Sequence, residues 1–163
     1  MSTNADKLGM TQFVRHLPRR ACGTCSLCCK LPSVLEIDKH IDEWCKHCRP
    51  GKGGCTIYEQ RPQACKKFTC GWLEGKFGDE WFPAKCKMYV TAGPPNERFR
   101  VIVDPAFPDA WRREPHYSQL KAIAPIVIRV GRRFIKLHAD GTEREEVHSQ
   151  AYIEGRSEEE VER

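Results

Sequence analysis

The chain has no stretch approaching the roughly 20 apolar residues a spanning helix requires. Its first 23 residues show no apolar core ahead of a small-residue cleavage site. A soluble, cytoplasmic protein without membrane contact is the expectation. A Ser–His–Asp or paired-carboxylate arrangement is also missing, so neither nucleophilic hydrolysis nor two-carboxylate acid–base chemistry is indicated. There is no strand followed by a glycine-rich turn and helix to cradle a nucleoside cofactor. The GKGG at 51–54 lies between cysteines and reads as a turn. No two-cysteine, two-histidine finger pattern, internal repeat or low-complexity tract occurs.

Cysteine, by contrast, is abundant. Ten occur in 163 residues, nine of them from Cys22 to Cys70, with Cys86 apart. Reducing cytosol keeps thiols unpaired, whereas a secreted chain of this kind would suggest disulfides. Packing of thiols as small hydrophobes does not account for the adjacent Cys28 and Cys29. Metal ligation is the reading that remains.

The cysteines fall into three groups. CGTCSLCC supplies Cys22, Cys25, Cys28 and Cys29; at about 100° per residue a helix would hold them within an arc of about 120°, and a tight loop of the same spacing also converges sulfurs on one ion. WCKHC repeats the spacing with Cys45 and Cys48, and PGKGG follows as a turn. CTIYEQRPQACKKFTCGWL supplies Cys55, Cys65 and Cys70, with Pro62 placed to open a helix carrying Cys65. His47 is a weaker ligand candidate, and His40, His116, His138 and His148 read as ordinary surface histidines. Arg61 would offset thiolate charge, while Tyr58, Phe68, Trp72, Trp44 and Trp81 would pack around the site.

CGTCSLCC followed by GCTIYEQRPQACKKFTCGWL resembles the zinc- or iron-chelating domain family known for its CxxCxxCC signature, which includes the YkgJ-type cysteine-cluster proteins. The resemblance runs from Cys22 to about Leu73. It implies Cys22, Cys25, Cys28, Cys29, Cys55, Cys65 and Cys70 as ligands, and WCKHC resembles a subgroup variant that adds Cys45 and Cys48. Through the cysteine cluster the family is also similar to flagellin lysine-N-methylases. That similarity implies, as an alternative to a metal-binding module, an iron–sulfur-dependent enzyme that modifies a protein.

The metal is read as zinc or an iron–sulfur cluster. Zinc takes four ligands and soft thiolates suit both; the surplus of thiols leans toward iron–sulfur. There are enough for two mononuclear sites or for one cluster with spare ligands.

The rest of the chain organises as a small single α+β domain. Residues 1–20 read as an arm with a helical turn around Thr11 to His16, and 21–87 as a helical and loop-rich cysteine lobe held by metal. Residues 88–140 read as a short antiparallel sheet, with strands in KMYVTAG, RFRVIVD and the two runs around Gly131, plus one covering helix between Pro115 and Pro125. Residues 141–163 read as an acidic tail. From 139 onward there are nine acidic and three basic side chains, a net of −6 against the whole chain's +5, which leaves +11 on 1–138. A basic body permits an acidic protein partner. Nucleic acid is not expected, because nothing in the sequence resembles a stacking platform.

Overall fold

The computed structural model describes residues 20–163, so the expected arm and its helical turn lie outside it except for Arg20. Five strands form one sheet in chain order: β1 (Met88–Ala92), β2 (Phe99–Val103), β3 (Ile126–Val130), β4 (Arg133–Leu137) and β5 (Glu143–Val147). The first four occupy the β-rich runs expected from sequence. Gly131, at φ +59°, occupies the left-handed region that the tight β3–β4 turn requires.

Not every pairing is antiparallel. β2 and β3 run parallel, Val101 beside Ile128, while the other three pairs are antiparallel. Parallel neighbours need a crossover, here the segment 104–125 with its helix His116–Ala122. That helix lies between Pro115 and Pro125 as the spacing implies. The short helices before it are α1 (Gln63–Lys67) and α2 (Pro83–Cys86), so it is α3. Two more follow, α4 (Gln150–Glu154) and α5 (Glu158–Val161).

One face of the sheet carries the main core. Val90, Val101, Val103, Ile128, Ile135 and Leu137 alternate inward and meet Trp81, Trp111 and Leu120. Trp81 therefore belongs to this core instead of the cysteine site. His116 is likewise buried, its Nε2 2.9 Å from the Glu80 carbonyl, and is no surface histidine.

The opposite face is divided. At one end Tyr89 and Ile102 pack against Leu27 and Leu31 of the cysteine lobe. Buried Arg129 fastens the lobe there, donating to Asp42 at 3.1 and 3.3 Å and to the Leu31 carbonyl at 3.0 Å. Lys30 reaches Asp104 at 2.7 Å. The other end of that face is bare. Residues 141–163, read as a tail, contribute the fifth strand and the helices α4 and α5. Among the described residues no helix is long and apolar enough to cross a membrane.

Candidate metal centre

Loops and one short helix bring the cysteines together. The Cys25 amide bonds to the Cys22 carbonyl at 2.8 Å, closing a turn that leads into a single 3-10 turn at Leu27–Cys29. The first group is thus a loop and not an α-helix. The Cys45 amide donates to the Cys29 carbonyl at 2.9 Å, which lays the second group against the first, and Cys48 and Cys55 face each other in an isolated antiparallel bridge around the glycine turn. Within that turn Gly53 has φ +70°, and a Cβ added there would lie 2.1 Å from the Gly23 carbonyl oxygen. The two cysteine loops touch backbone to backbone, which only glycine allows.

Cys65 sits on α1, whose first two amides, of Gln63 and Ala64, both donate at 2.9 Å to the Glu36 carboxylate. The Gly71 amide bonds to the Val90 carbonyl at 2.7 Å and holds Cys70 beside β1.

Cys22, Cys25, Cys28, Cys29, Cys45, Cys48, Cys55, Cys65 and Cys70, with His47, all line one cavity of about 560 Å³. Cys22 is exposed and the other eight are half-buried; all ten cysteines of the chain are free thiols. Phe68 and Trp72 contribute partly buried rings to the wall, whereas Tyr58 lines it but is exposed, with the Arg61 guanidinium 3.8 Å from its ring centre. Trp44 is largely exposed. Cys86 is not in the wall: it is buried beside the main core and donates to the Met88 carbonyl at 3.1 Å.

Burial and mutual repulsion set the thiol chemistry. A hydrogen bond with Cys28, and then burial, hold Cys29 far above the ordinary thiol range. Burial, then the neighbouring charge of Cys29, pushes Cys48 up to about 11. Burial also raises Cys22, Cys25 and Cys65. Like-charge neighbours add to it: Cys70 for Cys22, Cys22 for Cys25, and Cys29, Cys45 and Cys55 for Cys65. Thiols packed this closely do not ionise together unless a cation replaces their protons.

The donor set fits a soft metal. Among the described residues, however, no three Cys, His, Asp or Glu side chains gather closely enough to hold a single ion. The Trp72 indole N–H is buried and finds no partner among the described residues.

Two wall residues escaped the sequence reading. Lys39 is buried, its ammonium donating to the carbonyls of Lys30 at 2.7 Å, His40 at 2.9 Å and Pro32. Burial pulls its pKa down, while the charges of Cys45, Asp42 and Cys29 pull it up. Ser26, whose hydroxyl donates to the Thr24 carbonyl at 3.4 Å, opposes the upward shift at Cys48. A lysine and a serine carry no spacing signal, so only the fold exposes them. No family model, curated protein or solved structure matches the chain.

Proposed function

We propose that this is a cytoplasmic cysteine-cluster protein whose cavity holds a thiolate-ligated metal centre, an iron–sulfur cluster in preference to zinc. The observation that carries this reading is that nine free thiols, drawn from three separate segments, line one cavity. Ligands would come from Cys22, Cys25, Cys28, Cys29, Cys45, Cys48, Cys55, Cys65 and Cys70. The surplus of thiols over the four that one ion takes favours a cluster with spare ligands over a lone zinc. The residues around it shield the site: Phe68 and Trp72 exclude water, and Lys39 places a buried positive charge beside thiolates.

Anaerobic purification with metal analysis and an absorption spectrum tests the reading. Iron, acid-labile sulfide and broad visible absorption are expected; a colourless zinc-loaded protein would overturn the cluster, and a metal-free protein the whole proposal.

A second reading is a cluster-dependent enzyme that modifies a protein, in the manner of a methylase. It is favoured by the extension of the cavity past the sulfurs to Ile57, Tyr58, Pro62 and Leu73, which leaves room for a substrate group. Turnover by the reconstituted protein would separate it from a binding module.

A further inference from the structure

The half of the sheet left bare by the cysteine lobe is the floor of a second groove of about 1190 Å³. The turn at 93–98 forms one wall and α4 the other, with Pro32 and Ile41 of the lobe closing one end.

Strand register determines what the floor presents. Thr91, Arg100, Val127, Lys136 and Arg144 are successive cross-strand partners, so three cations stand in one row across the sheet. Arg100 is committed to Glu97 through bonds of 2.7 and 2.9 Å. Lys136 and Arg144 instead face one another on antiparallel strands, a like-charge pairing that costs stability. The one carboxylate in ion-pair reach of Arg144 among the described residues is Glu146, at 3.7 Å, which also stands 3.6 Å from His148. Of the five cations that line the groove, Arg129 is buried against Asp42 and Arg100 is paired with Glu97, so Arg98, Lys136 and Arg144 carry its open positive charge.

An aromatic series runs beside this row. Phe134 meets His148 edge-on at 5.0 Å, and His148 stacks on Tyr152 at 4.4 Å with 20° between the planes. Tyr152 is 69% exposed. Cations in a row track phosphates, and an exposed ring next to them accepts a base. An acidic peptide would use the cations and leave the stacked rings without a role.

The geometry points to a single-stranded nucleic-acid site on the open half of the sheet, with phosphates along Lys136 and Arg144 and a base stacked on Tyr152. This goes beyond the metal reading and does not depend on it. The repulsive pair is a stability cost retained for binding.

The test is titration of a short fluorescein-labelled oligouridylate into the full chain at several salt concentrations, with polyglutamate as competitor. Saturable binding that weakens with salt is expected. Lys136→Glu should lower affinity roughly tenfold or more and yet raise the thermal midpoint, since it converts repulsion into an ion pair. Arg144→Gln should reduce the salt slope by about one. Tyr152→Ala should lower affinity about tenfold at an unchanged slope, and Tyr152→Phe should preserve it. No binding at low salt, or full affinity in Lys136→Glu, overturns the site. Displacement by polyglutamate as readily as by unlabelled oligouridylate overturns it in favour of an acidic-protein dock.

Discussion

The carboxylate of Glu154 lies 2.8 Å from Nδ1 of His40, joining α4 to the cysteine lobe across 114 residues of sequence. Glu154 has no exposed side-chain surface. It also accepts from the Ile41 amide at 2.7 Å and from Gln150 at 2.9 Å, while Arg156 beside it reaches Asp38. Truncation would strand these donors in a buried setting. Glu154→Ala is therefore expected to lose about 3 kcal/mol of stability, read as a lower urea midpoint. An unchanged midpoint would mean that the joint contributes nothing.

The same carboxyl gives a pH dependence of definite sign. Burial opposes its ionisation, but the hydrogen bonds from His40, Ile41 and Gln150 outweigh it, so its pKa falls below the ordinary 4.5. A lowered acid pKa stabilises the fold above the unfolded value, and the contribution is lost as pH drops through the folded one. Below about pH 4.5 the wild-type thermal midpoint should fall more steeply than that of Glu154→Gln, the two curves running parallel above it. Parallel curves throughout would contradict this.

At Gly53 the expectation is steric. A methyl group there would meet the Gly23 carbonyl at 2.1 Å, on a backbone with φ +70° that side chains disfavour. Gly53→Ala should destabilise the lobe by about 1–3 kcal/mol. Hydrogen exchange should report this as faster exchange in 22–73 with the sheet amides unaffected.

Arg129 offers a cleaner separation of charge from packing. Arg129→Met leaves the Asp42 carboxylate without its cation, although the Leu31 carbonyl still accepts from the Asp42 amide at 3.2 Å, and should cost about 3–5 kcal/mol. Adding Asp42→Ala should return part of that loss. A double variant no better than the single one would show that the cost lies in packing instead.

Metal removal follows from the proposed centre. The lobe's own apolar cluster is small, with Leu27 and Leu31 its buried members beside partly buried Cys25, Phe68 and Cys70, so its folding free energy should come partly from the metal. A chelator that demonstrably strips the metal should erase amide protection over 22–73 and spare the central strands. Unchanged protection after verified removal would count against it.

The strands of residues 88–137 and helix α3 were legible because alternation, Gly131 and the prolines at 115 and 125 are local signals. Their partners were not. Whether β2 meets β3 parallel or antiparallel depends on the crossover, and β5 was hidden because EREEV lies at a sheet edge with every residue exposed, so it has no apolar alternation to read. The cysteine spacing marked nine thiols without deciding between two sites and one, and the fold brings all nine to the wall of one cavity. Lys39 and Ser26 were illegible as wall residues, since neither belongs to the cysteine spacing and only the fold brings them to the cavity. The cation row on the open face was illegible for the same reason: Arg100, Lys136 and Arg144 become neighbours only through register.

The single parallel pairing, β2 with β3, is also the seam between two locally closed units, the β1–β2 hairpin and the β3–β4–β5 meander. Short-range hairpins close quickly, whereas a pairing across a 22-residue crossover comes late. The cysteine lobe straddles that seam, resting on Tyr89 and Ile102 on one side and tied to Arg129 on the other. The lobe thus lies as a clasp over that seam, gripping each of the two units by contacts of a different kind, apolar on one side and ionic on the other.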